Sequence, residues 1–385
     1  MTAYILLVII PLTTFLCTIK DKKGRGLYAL ATFFIFLLIL MAIRDITVGF
    51  DLATYMRSFD VINKAPWDKI YDYDFSGPLE KGYILFTKAF SEYIKNDFRF
   101  FMVIVAVLSL LPLFFLYADQ SSNPILSIAL FLSVAPFTMY FSGLRQILAM
   151  AFVVPAYYFT KKKWIIPFIL MPIVAYFFHK SAVVLFLLYP LYHLRIPKKA
   201  LPTLSAVFVL TFIFRMEIYQ YIISLLGSRY KEQYGEIVHT GAYTLFLLFL
   251  IFVVYSYVIP SERASSTCYT DGALRIEQYS GKIFGERKLS EDGEGLRNVL
   301  LLLSTLLIFT SVSNIFVRVA YYFLPLVPIA IPKIAEARKN KYRWLTLLSE
   351  IVMITFFLLW FLYDGATSQP PANLQVFPFV PFWKG

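Results

Sequence analysis

The stretch LYALATFFIFLLILMAI, residues 27–43, runs straight into Arg44-Asp45-Ile46-Thr47-Val48-Gly49-Phe50-Asp51, with Tyr55 four residues on. The first part carries no charge and is long enough to cross a bilayer, which takes roughly 17–25 residues of helix. Polarity then begins abruptly, at a membrane surface. An Arg and two acids at such a boundary are costly unless they have partners or a task. The plain alternative is an Arg that snorkels to the surface beside an acid closing a helix.

The rest of the chain extends this reading. Its 385 residues are 59% hydrophobic with a mean hydropathy of +0.68, and only 16% are charged. A soluble domain carries about 25% charged residues, so most of this chain belongs in a bilayer. The 39 Phe and 27 Tyr suit lipid-facing helices and interfacial belts. The net charge of +12 needs no nucleic acid, because Lys and Arg in short cytoplasmic loops supply it. Two cysteines, Cys17 and Cys268, exclude a disulfide framework, and neither C-x-x-C nor H-E-x-x-H occurs. No metal and no cofactor is expected. The run 4–19 lacks a basic leader and a cleavage site and reads as a first span.

Apolar runs predict an all-α polytopic membrane protein, a single integral domain over 1–385 with about twelve transmembrane helices. They fall near 2–19, 27–43, 98–118, 124–142, 143–160, 164–178, 181–194, 200–216, 242–260, 297–314, 318–332 and 343–363. With that count the basic clusters at Lys20–Arg25, Lys161–Lys163, Arg195–Lys199 and Lys333–Arg343 share one side, the cytoplasm. Both ends of the sequence then face outside. Residues 44–97 form the largest outside loop, with seven Lys/Arg and nine Asp/Glu. Within it Tyr83–Ile94 has helical apolar spacing and is predicted to lie in the interface. Residues 217–241 form a second outside loop, and 261–297 a cytoplasmic polar segment of mixed charge.

Basic residues at outer span ends run against the positive-inside rule and are therefore informative. They are Arg44, Arg145, Lys180 beside His179, Arg215 and Arg318. One alone reads as a snorkelling anchor. Several at one depth predict a shared cavity holding an anion, and a diphosphate suits the planar guanidinium fork. Asp45, Asp51 and Glu80 lie in the adjoining loop, where a carboxylate near a sugar hydroxyl serves as general base. Asp45 ranks before Asp51 because it adjoins Arg44, although it could equally just hold that cation in place. His179 is a further base or phosphate donor. Asp72-Tyr73-Asp74 is a D-x-D, too short a pattern in an acidic, Tyr-rich loop to claim a metal.

These residues resemble a family. Arg44 with Val48-Gly49, Asp51 and Tyr55 is similar to the R-x-x-x-V-G-x-D-x-x-x-Y signature of EpsG-family, Wzy-like polysaccharide polymerases. Glu80-Lys81-Gly82-Tyr83 resembles the family's E-x-G-Y, Arg145-Gln146 its R-Q, and His179-Lys180-Ser181 its H-K/R-S. Arg318 with Tyr321 and Tyr322 resembles the late R-x-x-x-Y-F, and Phe377-Pro378-Phe379 the terminal aromatic-Pro-aromatic element. Phe50 and Leu52 depart from the small or polar neighbours the family often has around Asp51.

The resemblance implies a GT-C-like membrane glycosyltransferase of the bacterial inner membrane with its active site facing outward. Its substrate would be an undecaprenyl-diphosphate-linked oligosaccharide, and its partners membrane lipid and the flippase and chain-length regulator of the pathway. Asp45, Asp51, Glu80 and His179 would be catalytic. Arg44, Tyr55, Arg145, Gln146, Lys180, Arg318 and Tyr321 would bind diphosphate or sugar. The alternatives are a lipid-linked oligosaccharide flippase, which would carry charges at mid-membrane depth, and an O-antigen ligase or polyprenyl-phosphate-sugar transferase.

Overall fold

The computed structural model describes residues 2–18, 20–21, 24–73, 79–134, 137–226, 250–251, 253–254, 291–336, 343–367 and 374–384. Every regular element among them is helical, and the sole strand-like pairing is an isolated antiparallel bridge between Arg44 and Pro381. Most of 217–241 and 261–297, the expected span 242–260, Cys268 and Asp74 of the D-x-D lie largely or wholly outside the described residues.

The bundle begins with α1 (Thr2–Cys17) packed along α2 (Arg25–Ile43), which packs in turn on α5 (Phe98–Gln120). By length and composition α2, α5 and residues 347–367 of α17 (Arg343–Thr367) can each cross a membrane. A bent pair, α12 (Leu201–Ile213) and α13 (Arg215–Leu226), qualifies as a fourth. Shorter apolar helices are α1, α6 (Pro124–Ser133) and α10 (Ile165–Phe178). In α6 every residue from Ile125 to Leu132 is buried, as expected of a helix apolar on all sides at the centre of a bundle.

Several expected continuous spans are interrupted. The expected span 124–142 divides into α6 and α7 (Phe137–Ser142), and 143–160 into α8 (Leu144–Ala151) and α9 (Val153–Lys161). Gly143 separates α7 from α8 in a non-helical conformation, φ −94° and ψ 72°. The expected span 181–194 starts as a 3₁₀ helix, Lys180–Leu187, before α11 (Leu188–His193). The region 318–332 breaks between α15 (Asn314–Ala320) and α16 (Val327–Glu336), where Pro325 and Pro328 remove backbone donors. Preceding these, α14 (Glu291–Ile308) packs against α11, α15 and α16. Broken helices in a membrane protein occur where they line a cavity or are buried in protein. Here the breaks cluster around the site described below.

The first loop folds into an amphipathic helix pair. In α3 (Leu52–Lys64) the buried residues are Leu52, Tyr55, Ser58, Phe59 and Ile62, one stripe at helical spacing. In α4 (Lys81–Tyr93) they include Tyr83, Ile84, Thr87 and Phe90. Thirteen-residue helices are marginal alone, so packing decides here. Burying each large apolar side chain is worth about 1.5–3 kcal/mol. Phe59 and Phe90 both pack edge-on or tilted against Phe101 of α5, which seats the pair on the bundle.

Candidate active site

Glu80 is the hub. It stands just before the first turn of α4, and His179 just after the last turn of α10. These two helix ends approach closely because residue 82 is Gly. A Cβ there would lie 2.7 Å from the Phe177 carbonyl oxygen and 2.8 Å from the Phe177 Cβ. Arg145 enters in the first turn of α8, directly after the Gly143 break.

The hub is fully bonded. Arg145 Nη1 donates to Glu80 Oε2 at 2.6 Å, and the Lys180 backbone N–H donates to Oε1 at 3.3 Å. His179 Nδ1 lies 3.0 Å from Oε1. Arg145 Nε donates to the Tyr55 hydroxyl at 3.2 Å, with the guanidinium over the Tyr55 ring. Burial alone would raise the Glu80 pKa, but the His179 hydrogen bond and the Arg145 charge outweigh it and bring it down to about 2. Glu80 is therefore a carboxylate at neutral pH. On the other side of the imidazole, His179 Nε2 is buried and makes no hydrogen bond among the described residues.

Asp51 faces this hub from the start of α3. Its backbone N–H donates to Ser142 Oγ at 3.3 Å, tying the loop to the α7–α8 break. Its side chain makes no capping bond. Burial raises its pKa, and the charges of Arg318 and Arg145 pull back only part of the shift. A half-buried carboxylate of raised pKa that feels the charges of two guanidinium groups has the character a general base needs. Arg318 comes from α15, is exposed to solvent, and accepts a 2.8 Å bond at its backbone carbonyl from Gln146 Nε2. Ser181 Oγ donates to the Tyr322 hydroxyl at 3.3 Å, joining the 3₁₀ segment to the same region.

Gly49 sets the direction of the loop before Asp51. Its φ is +129°, and a Cβ would meet the Phe141 carbonyl oxygen at 2.2 Å. Gly49→Ala is thus expected to cost about 1–3 kcal/mol in backbone strain before the overlap is added. A drop in the melting temperature of the purified protein checks this, and an unchanged value counts against the loop geometry.

Two sequence expectations change. Arg44 forms no hydrogen bond or ion pair with the residues around Glu80 and Asp51. It is 1% exposed, its guanidinium lies over the Phe141 ring, and Nε, Nη1 and Nη2 are all buried without partners. The cause is the bridge to Pro381, which lays the end of the chain over it. Asp45 neither pairs with Arg44 nor stands free as a base. Its Oδ1 accepts from the Thr47 N–H at 3.0 Å and the Thr47 hydroxyl at 2.9 Å, closing a local turn. Of the remaining expected residues, Lys180 meets Glu80 through its backbone while its side chain is exposed, and Tyr321 is half-buried.

Sequence reasoning missed a second polar cluster, at the ends of α5, α9, α14 and α16. Asp292 accepts from the hydroxyls of Tyr157 at 2.7 Å and Tyr192 at 2.5 Å, and from Lys161 at 3.1 Å. Lys333 also bonds it, and Gln120 accepts from Lys161 at 2.7 Å and Lys333 at 2.9 Å. The spread of these residues over the chain leaves no local signal. Each of these bonds is internal, so the cluster clamps helix ends. Among the described residues no group of His, Cys, Asp and Glu is suited to a metal ion.

A helical membrane protein with an ion-paired cluster between amphipathic loop helices and broken apolar helices is the class these features define. The EpsG family model matches residues 27–380, and the chain belongs to the EpsG family. Membership points to a role of the polysaccharide-polymerase type. No curated protein and no solved structure matches the chain.

Proposed function

We propose that the protein is a membrane glycosyltransferase of about twelve spans and GT-C-like build that joins undecaprenyl-diphosphate-linked oligosaccharide repeat units into a surface polysaccharide. In this reading it works at the outer face of the bacterial inner membrane. The growing chain is the donor and a new lipid-linked unit the acceptor. The carrying observation is Asp51, a half-buried carboxylate of raised pKa with Arg145 and Arg318 close by. Asp51 takes the proton of the acceptor hydroxyl as its oxygen attacks the anomeric carbon of the donor. The bond to the diphosphate lipid breaks, and the exposed Arg318 neutralises the departing oxygens. Arg145 is held by Glu80 and Tyr55, so it orients Asp51 and adds fixed positive charge. Glu80 and His179 are positioning residues in this scheme, since the His179 Nε2 atom is sealed from solvent.

The test is purified protein in liposomes given lipid-linked repeat units. Longer sugar chains and released diphosphate lipid support the polymerase. Lipid moved across the bilayer but not extended supports the flippase instead, and transfer of one unit without repetition supports a ligase or simple transferase. The polar groups described here lie at helix ends beside the first loop, which favours chemistry at a membrane face over transport through mid-membrane charges.

A further inference from the structure

The last described segment, 374–384, contributes no charged group to the Glu80–Arg145 cluster, yet it is bonded to both ends of the loop that leads to Asp51. The Asp45 N–H donates to the Val380 carbonyl at 2.9 Å, and the Phe382 N–H to the Ile43 carbonyl at 2.9 Å. The Gly49 N–H donates to the Gln375 carbonyl at 3.2 Å, and the Phe50 N–H to the Leu374 carbonyl at 2.8 Å. The segment thus satisfies the backbone donors of residues 45, 49 and 50, which no helix serves. Leu374 and Gln375 adopt left-handed conformations, φ 50° and 55°, which persist in such residues only where the surroundings over-determine them.

The segment is itself anchored at several points. The Tyr4 hydroxyl donates to the Val376 carbonyl at 2.7 Å, and Val376 is fully buried. Phe377 and Phe379 both pack edge-on to the Tyr4 ring, with centroids 4.8 Å and 5.6 Å away. Farther along, Arg99 at the start of α5 lies over the Phe382 ring at 4.1 Å. One strip of chain therefore spans α1, the Asp51 loop and α5. From the other side, Ser142 Oγ and the Phe141 carbonyl fix the same loop.

We propose that residues 374–382 are a positioning strap, which sets the 44–50 loop so that Asp51 stands at its working distance from Arg145 and Arg318. The proposal rests on Asp51 as the base. The strap acts through the loop backbone. The groups facing Asp51 are Arg145 of α8, Arg318 of α15 and Tyr55 of its own helix, and the strap adds no charge to this set.

The experiment uses the full chain in liposomes with lipid-linked repeat units. Phe379→Ala removes one anchoring ring, Phe379→Leu restores its bulk, and Tyr4→Phe removes only the hydroxyl bonded to Val376. Strap release is read by thiol labelling of Val376→Cys, a position fully buried while the strap is in place, in a Cys17→Ser, Cys268→Ser background. For Phe379→Ala the expected result is faster labelling and a kcat at least tenfold lower with KM within threefold. The acid limb of the kcat profile should also move down toward the ordinary carboxylate range, because a loosened loop hydrates Asp51. Phe379→Leu should recover most of the turnover, which a general loss of folded protein would not predict. Where Phe379→Ala accumulates poorly, Tyr4→Phe carries the test, with the same changes at smaller amplitude. Faster labelling with unchanged kcat and acid limb overturns the strap, and so does unchanged labelling in both variants. Failure of the underlying reading looks different: Asp51→Asn would then keep its turnover whatever the strap does.

Discussion

Asp51→Asn is expected to bind lipid-linked repeat units as the unmodified protein does and to turn them over roughly 10²–10⁴-fold more slowly, the range lost with a positioned general base. Asn keeps the shape of the side chain and cannot accept a proton. The loop should survive, because its bonds to Ser142 and to the 374–384 segment are made by backbone atoms. Binding and turnover must be measured separately, since a loss confined to KM would make Asp51 a sugar ligand rather than a base. Asp45→Asn is the control. Asn can still accept from Thr47, so the turn should persist and turnover should stay within a few fold. If Asp45→Asn fell as far as Asp51→Asn, the assignment of the two acids would be reversed.

Glu80→Gln is expected to be the most damaging single change to stability. Glu80 is 9% exposed and Arg145 21%, so the pair is largely out of water. Breaking a buried pair by removing one partner costs about 3–5 kcal/mol, because it strands the other charge. The double change Glu80→Gln with Arg145→Met should recover much of that stability without activity, since the stranded cation is gone together with the charge beside Asp51. Thermal unfolding of the two single variants and the double one measures the coupling directly. The same pair predicts a pH dependence. The Glu80 pKa is lowered from 4.5 to about 2 in the folded protein, so the unfolded chain takes up the proton first as the solution is acidified. The contribution is then fully present above pH 4.5 and lost progressively as the pH falls toward 2. Glu80→Gln should flatten that acid limb, and an unchanged limb would move its origin to other carboxylates.

The parts of this protein that follow from local composition were legible in the sequence. The apolar run before Arg44, the amphipathic pattern of 83–94 and the apolar runs from 98 and 124 all rest on spacing, and the structure caps the last two helices with Asp97 and Asn123. The outer span ends and the family resemblance both single out Glu80, Arg145, His179, Asp51 and Arg318, of which Glu80, Arg145 and His179 meet directly. Their pairing was not legible, because Glu80 meets Arg145 and His179 across gaps of 65 and 99 residues. Arg44 illustrates the limit. Beside Asp45 in sequence it reads as a surface cation with a neighbouring acid, and only the distant Pro381 turns it into a buried charge. The break at Gly143 falls between two expected spans, but those near Phe152 and Pro325 were hidden for another reason: hydropathy measures how apolar a stretch is, not whether its backbone stays helical.

The bond between Tyr4 and Val376 joins positions 372 residues apart, so the 44–50 loop is synthesised long before the segment that clamps it. A nascent chain can insert helix after helix while this loop still lacks the partners for its backbone donors. If Asp51 is the base, chains interrupted before residue 374 would sit in the membrane with the loop unclamped and would be catalytically silent.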